Sequence, residues 1–432
     1  MNMQASTGLL SVWLHCYAPA MTVPAPSRYA TLFVFVTVLL DMVSFGLIIP
    51  VQPALIEQLA DVDVGTASLI GSFLFFAFSG AQFLCGPTLG NLSDTYGRRP
   101  LLLLAVLGLG CDYLITALAP NITWLFVGRT LAGVCGASYV IANAYIADVT
   151  RPEDRAKAFG MMGAAFGLGF VIGPAIGGLL GTFGPRVPFF AAAAISLINF
   201  AFGYFILPES LPREKRRTFE WSRANPLGTL RIFAKYRQVL PLCAVLGLYF
   251  FSTSVYPAIW PFWGSAKFGW GPAMIGVTLA AFGIIMAITQ GTLTGPLVKR
   301  FGEWPMAVAG LVASPLGCLA FFLAPGLSLV VVGLVVHAPE GFVHPMLTAI
   351  MSKEVPEDAQ GELQGGLSSI MNLTMMFGTI FYGAAFQFFV EPNPIMQSAS
   401  AAFLVAALLM TCSLALALTF ARPSADLIVR KK

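Results

Sequence analysis

Six ionisable side chains interrupt stretches of the chain that are otherwise apolar: Asp41, Asp112, Arg129, His337, Glu340 and His344. Charge is costly away from water, so such residues mark the places where transport or proton chemistry is expected. His337, Glu340 and His344 are spaced i, i+3 and i+7, which puts them on one face of a continuous helix. Histidine titrates near neutrality, so that face suits a proton relay or a cation ligand. The spacing could also hold a divalent metal, or simply polarise a wet cavity. With Pro339 and Pro345 loosening the backbone, ligands on one kinked helix make a weak metal site, and none is assigned. Asp41 is the first choice for the proton-coupling group. A carboxyl shielded from water favours its neutral form, and a cationic or metal-bound solute would favour proton release. The alternative for Asp41 is a helix–helix hydrogen bond. At 1.5 Å per residue, Asp41 lies about 14 Å from one end of its helix, near the midplane. Asp112 and Arg129 lie roughly 10 Å from the opposite end of theirs. Equal depth makes them candidates for an ion pair, purely structural or part of a relay, with Asp41 in reach of the arginine if the helices adjoin.

Such residues need long apolar elements to hold them. Of the 432 residues 57% are apolar and only 10% charged, far below the roughly 25% of soluble domains, so the solvent is expected to be lipid. Apolar runs long enough to span a bilayer recur at 32–56, 67–91, 99–119, 122–147, 157–181 and 188–207, then at 239–262, 272–298, 305–324, 328–352, 362–388 and 396–421. The expected fold is therefore an all-α membrane protein of twelve helices in two halves, 31–207 and 239–421. A polar, basic linker (208–238) joins them, an extension (1–30) precedes them, and a basic tail (422–432) follows. With both termini placed in the cytoplasm, nearly all Lys and Arg fall inside and only Arg186 and Lys267 outside, as the positive-inside rule requires. No basic region precedes Leu9–Tyr17, which argues against a signal peptide, and Met21 could be the true start. The seven cysteines are scattered, with no CxxC pair, and read as small core residues.

The halves echo one another about 205 residues apart. Gly90 to Pro100 (GNLSDTYGRRP) matches Gly295 to Pro305 (GPLVKRFGEWP), and Pro152-Glu153-Asp154 matches Pro356-Glu357-Asp358. A duplicated unit of this kind is the mark of alternating-access carriers. In the first copy Gly90 and Gly97 permit close approach and a tight turn, while Asp94, Arg98 and Arg99 form a charge cluster able to latch and release one side. On the fifth span, glycines at 163, 167, 169, 173, 177 and 178 form a small-residue stripe with Pro174 inserted. Such a stripe suits close helix contact and bending between access states, or close packing alone.

In these residues the chain resembles the major facilitator superfamily, whose hallmark is the G-x-L-x-D-x-x-G-R-R-P loop. The stretch from Leu40-Asp41 through Gly46 to Pro50 and Pro53, the Gly128-Arg129-Thr130-Leu131-Ala132-Gly133 segment and the run from Gly169 through Gly173-Pro174 to Gly177-Gly178 are similar to its drug:proton antiporter branch. Asp112 with Tyr113, Tyr145 to Thr150, Phe166 to Gly169, Arg300 to Glu303 and Leu363-Gln364-Gly365 read like bacterial tetracycline efflux proteins. The resemblance implies coupling or substrate roles for Asp41 and Asp112 and a structural or relay role for Arg129. It also implies a histidine on the eighth helix and an aspartate on the ninth. This chain has Met286 and Ser314 there, keeps Gln290, and offers His337, Glu340 and His344 on the tenth as replacements.

The aromatic seventh span, including Tyr249, Phe250, Phe251, Tyr256, Trp260 and Trp263, is either a stacking wall for flat drugs or, at the tryptophans, an interfacial belt. Gln82, Asn143, Tyr256, Trp260, Gln290, Gln364 and Asn372 are the candidate substrate contacts. The expected function is proton-driven efflux of tetracycline-like or other amphipathic drugs from a bacterial inner membrane. No cofactor is expected beyond the proton gradient, although the drug could enter as a metal complex. The expected partners are the lipid bilayer, the small-molecule substrate and protons, with no nucleic acid, and the chain is expected to work as a monomer. A transporter of a metabolite, sugar or metal complex is the alternative. A membrane enzyme or scaffold is remote, because the loops are short and lack histidine.

Overall fold

The computed structural model describes residues 28–136, 138–151, 154–220, 225, 228–356, 359–393 and 395–420. The N-terminal extension to residue 27, the tail from 421, and the Pro152-Glu153 and Glu357-Asp358 echoes lie outside them. Among the described residues there are twelve helices long and apolar enough to cross a bilayer. They are α1 (Val34–Ala60), α2 (Val64–Tyr96), α3 (Arg98–Leu118), α4 (Ile122–Val149), α5 (Ala158–Gly181), α6 (Val187–Ile206), α7 (Arg237–Phe268), α8 (Pro272–Phe301), α9 (Glu303–Leu323), α10 (Leu327–Lys353), α11 (Gln360–Val390) and α12 (Ala401–Phe420). Large apolar side chains such as Leu84, Ile198, Phe205, Leu323 and Leu408 stand exposed on the bundle surface. A lipid solvent removes the cost that water would impose on them.

The helices run past the apolar stretches read from sequence. α2 continues to Tyr96 because its last turns, though polar, still complete backbone bonds until Gly97 ends them at φ +108°. Gly302 ends α8 in the same way at φ +85°. These two glycines are 205 positions apart and occupy a region that L side chains avoid, so the sequence echo is a repeat of backbone geometry.

Four helices are broken near the centre. Pro50 lies in a 3-10 turn of α1, α4 breaks at Gly136, α7 breaks at Ser254, and Ala338–Phe342 forms a 3-10 turn in α10. Each break frees backbone groups, which membranes tolerate only where protein or a cavity receives them. At α4 the receiver is Gln82, whose Nε2 donates to the Gly136 carbonyl at 2.6 Å.

The two six-helix sets meet on one face and part on the other. On the face opposite the linker, a Cβ added at Gly276 of α8 would sit 3.0 Å from the Gly178 Cα of α5. There too Ser68 of α2 reaches the Gly383 carbonyl of α11 at 3.4 Å, and Gln387 reaches Thr66 at 3.3 Å. Toward the linker several glycines along the parted faces have no neighbours. Gly86 and Gly90 on α2, Gly163 and Gly167 on α5, Gly291 and Gly295 on α8, and Gly361 on α11 all face open space. The fifth-helix stripe thus splits in function. Gly169, Gly173 and Gly177 lie tight against Met42, Gly46 and Leu47 of α1, and Gly178 against α8, while the linker-side glycines touch nothing.

The two cations on the closed face are tied down. Arg186 donates to the Ala117 and Ala119 carbonyls at 2.9 and 2.8 Å. Lys267 donates to the Phe322 carbonyl at 3.3 Å. Both meet the negative end of a neighbouring helix, where a cation is stabilising.

Candidate transport cavity

Between the halves lies a cavity of 450 Å³. Phe45, Phe75, Phe78 and Phe170 wall it from one half and Tyr256, Trp260, Phe282 and Phe321 from the other. Its polar groups include Gln52, Thr116, Arg129, Thr253 and His337, and no carboxylate is among the lining residues. Flat apolar molecules stack well on such rings, and the few polar groups fix their orientation. The aromatic part of α7 is held by its own contacts. Trp260 Nε1 donates to Thr278 at 3.1 Å, and Trp263 Nε1 donates to Ser400 at 2.9 Å. Trp263 is fully buried, with its ring 5.0 Å from that of Phe403. The belt reading is therefore corrected for both: Trp260 is cavity wall and Trp263 is core.

On the first half, Asp112 of α3 is fully buried and ion-paired with Arg129 of α4. Thr116 donates a 3.4 Å hydrogen bond to the same carboxylate. Gly128 leaves the room: a Cβ there would lie 2.5 Å from Asp112 Oδ1. The Arg129 guanidinium also sits 5.7 Å from the centre of the Tyr113 ring. Asp41 is not part of this pair. α1 packs beside α4 beyond its break, so Asp41 Oδ2 accepts a 2.6 Å hydrogen bond from Ser138. Its Oδ1 has no partner among the described residues. Asp41 therefore lies behind the cavity wall, and Ser138 is a partner that carried no signal in the sequence.

On the second half, His337 and Glu340 pair and His344 does not join them. The 3-10 turn at Ala338–Phe342 changes the pitch, so the three residues expected on one helical face are spread over a helix end, the turn and the next helical segment. His337 Nε2 lies 2.7 Å from Glu340 Oε2, both side chains being almost wholly buried. Tyr249 of α7 donates to Glu340 Oε1 at 3.1 Å. Tyr256 lies 3.2 Å from His337 Nδ1 and 3.1 Å from the Cys318 sulfur. His344 turns away and sets its ring 5.3 Å from Phe250. Ser314, at the position where an aspartate is expected, is within hydrogen-bond reach of the Glu340 carboxyl. The Met286 methyl lies beside Gly341.

The remaining polar candidates do not line this cavity. Gln82 serves the α4 break. Gln290 sits in a π-helical turn of α8 (Thr289–Leu293) and is exposed there. Gln364 is exposed near the start of α11, while Asn143 and Asn372 are half-buried off the wall. Their apolar neighbours in sequence signalled burial but not which face they turn to. Of the seven cysteines, Cys243 and Cys318 are buried, whereas Cys412 is exposed on α12, which corrects its reading as a core residue.

The linker-face charges form a second assembly. Arg98 meets Asp94 at 2.5 Å, Asp148 at 3.1 Å and the Ser93 hydroxyl at 2.6 Å. Its backbone N–H donates to Glu209 at 2.8 Å, and Arg99 donates to the Tyr204 carbonyl at 2.6 Å. A Cβ at Gly97 would run into the Glu209 carboxylate, so this glycine serves both turn and latch. Across the repeat, Glu303 is ion-paired with Lys353. Arg98 and Glu303 are 205 positions apart, as are Asp148 and Lys353, so the second half holds the same pair with its charges reversed. Asp63, outside the spans, caps α2 by accepting from the Thr66 N–H at 3.1 Å, and that bond holds its carboxyl below the usual carboxylate range.

Comparison with known proteins agrees with this architecture. The Major Facilitator Superfamily model matches residues 34–265 and 242–431. The tetracycline resistance protein, class C, of Escherichia coli is 39% identical over 360 residues, covering 83% of this chain and 90% of that one. The class G protein of Vibrio anguillarum is 36% identical over 359 residues, covering 83% and 91%. The crystal structure of the human organic anion transporter MFSD10 (TETRAN) superposes with a TM-score of 0.67 at 24% identity, over 91% of this chain and 100% of that one, a likeness of fold alone.

Proposed function

We propose that this chain, which belongs to the major facilitator superfamily, expels tetracycline-like or other amphipathic drugs in exchange for protons. The observation that carries the reading is the aromatic-walled cavity between the halves, closed on one face and parted on the other. With the linker face placed in the cytoplasm of a bacterium, on the basic charge gathered there, this state is open inward and loads drug from the cell. Rocking of the halves would then close the linker face through the glycines that now have no neighbours, and open the other. The tetracycline resistance relatives favour a drug, carried alone or as a metal complex, over a metabolite. The wall points the same way, since a sugar would need more hydrogen-bonding partners than this lining offers.

Asp41 is the coupling carboxyl on the first half. Its unpartnered oxygen gives an arriving proton a place, and its bond to Ser138, just past the α4 break, links that proton to helix geometry. Asp112 and Arg129 hold a fixed dipole at the cavity edge. Everted vesicles from a pump-deficient host provide the test. The wild type should accumulate tetracycline when a pH gradient is imposed, and Asp41→Asn should not. Equal accumulation by the two would remove Asp41 from the mechanism. No gradient-driven uptake of any amphipathic drug by the wild type would overturn the efflux reading.

A further inference from the structure

The two halves carry buried acid–base pairs at related places. In the first half the pair joins α3 to α4 through Asp112 and Arg129. In the second it lies at the α9–α10 contact, through Glu340 and His337. The repeat of 205 positions sets Gly317 where α3 has Asp112, and Leu334 where α4 has Arg129. Leu334 and Arg129 both line the cavity. Where α3 has an acid α9 has a glycine, and His337 fills the space beside it. A Cβ at Gly317 would lie 2.8 Å from His337 Cβ, and one at Gly310 would lie 2.7 Å from the Pro339 carbonyl. The second pair is thus seated in a bay cut by two glycines of α9, and the 3-10 turn of α10 delivers both partners into it.

The pairs differ in one chemical respect. An arginine keeps its proton under all conditions in a protein, whereas a histidine gives its proton up near neutrality. We propose that His337 and Glu340 form a second proton-carrying site, on the tenth helix, which loads from the cavity through His337 Nδ1. This rests on the efflux reading and adds to it a place for a second proton besides Asp41.

The hydrogen bonds define two states. Nε2 and Oε2 lie 2.7 Å apart as a close ionic contact, without hydrogen-bond alignment and with no hydrogen-bond partner among the described residues; two bare acceptors so close would repel, so one proton resides on Nε2. With that proton alone the pair has a net negative charge, and the Tyr256 hydroxyl donates to Nδ1. When a second proton from cavity water binds Nδ1, the pair is neutral. Nδ1–H then donates to the Tyr256 oxygen, and the Tyr256 hydrogen turns to the Cys318 sulfur. No bond other than N–H or O–H changes, and the proton taken from water is returned to water on release. Facing the pair are Tyr249 and Tyr256 from α7 and Ser314 and Cys318 from α9. Among the described residues no lysine or arginine is ion-paired with Glu340. The negative state therefore favours a positively charged or metal-bound drug group in the cavity, and the neutral state favours its loss. That competition is antiport.

Purified protein in liposomes tests the site by two readouts. One is drug uptake driven by a pH gradient, and the other is drug-for-drug exchange without a gradient. Glu340→Gln should lose driven uptake and keep exchange, Glu340→Asp should recover part of the driven uptake, and His337→Gln should lose driven uptake. Driven uptake at the wild-type level in Glu340→Gln overturns the proposal. So does loss of exchange along with uptake, because that marks a structural role. If the wild type moves no drug, the efflux reading fails while the site remains testable by infrared titration of the drug-free protein. There the carboxylate band of Glu340, which shifts as His337 titrates, should vanish in Glu340→Gln and no longer shift with pH in His337→Gln. Spectra identical to the wild type's would overturn the proton site by itself.

Discussion

Gly276→Val should spring open the closed face. The new Cβ would stand 3.0 Å from the Gly178 Cα and closer still to the Pro174 carbonyl oxygen. Both obstacles are backbone, so no side chain can turn aside to relieve them. Overpacking of this kind costs about 1–3 kcal/mol, and unyielding neighbours argue for the upper half of that range. The penalty falls only on the state in which α5 and α8 touch. A shift of about 2 kcal/mol moves a two-state equilibrium by roughly 30-fold, since 1.4 kcal/mol is a factor of ten. A reporter Thr253→Cys on the cavity wall, in a background without the native cysteines, measures the shift. An impermeant maleimide applied from the face opposite the linker should label it faster by about that factor. Gly291→Val, whose side chain enters open space, should leave the labelling of this state unchanged. If folded Gly276→Val protein labels at the parental rate, the contact between Gly178 and Gly276 is not the seal.

Three further outcomes follow from the same contacts. Asp112→Ala strands Arg129 and should lower stability by about 3–5 kcal/mol, read from thermal unfolding; replacing both partners by leucine should restore stability without restoring drug transport. Exchanging Glu303 and Lys353 should preserve drug transport better than either single charge reversal, with stability changes within about 1 kcal/mol because the pair is partly exposed. Asp63→Ala should cost about 1 kcal/mol at neutral pH through loss of the α2 cap. The Asp63 carboxyl lies below its unfolded value in the folded chain, so its contribution is complete above that value and fades as the pH falls through the folded one. Wild type and mutant stabilities should converge in acid, as denaturation at several pH values would record.

The helix count and the repeat were legible because they follow from solvent and chain length alone. A bilayer demands apolar runs of fixed length, and a duplicated backbone turn keeps glycine at 97 and 302. The pairing of Asp112 with Arg129 was legible as well, since equal depth on adjacent helices is a one-dimensional property. Contacts that depend on rotation about a helix axis were not. Asp41 belongs to a helix that meets α4 beyond its break, and only that packing sends it to Ser138 rather than to Arg129. His344 illustrates the other limit. One 3-10 turn, invited by Pro339, shifts the residues beyond it to a new face and dissolves a periodicity that reads as perfect in letters. Glu209 had no signal at all, because a linker acid is known only by what it caps.

The halves share a scaffold but divide the chemistry between them. The repeat keeps what the rocking motion needs: the left-handed glycine turns, the small residues at the α5–α8 and α2–α11 contacts, and the ion pair at the linker face. None of these depends on which sign of charge stands on which helix, and the pair at 98 and 148 is indeed reversed at 303 and 353. Proton chemistry has no such freedom, because a group must lose its proton in one state and regain it in the other. An arginine cannot, so on the proposed mechanism the first half keeps Asp112 paired and leaves the exchange to Asp41, which meets a hydroxyl and no cation among the described residues. The second half has no counterpart of Arg129. It can therefore place acid and exchangeable base together, and the glycine at 317 leaves the room they occupy.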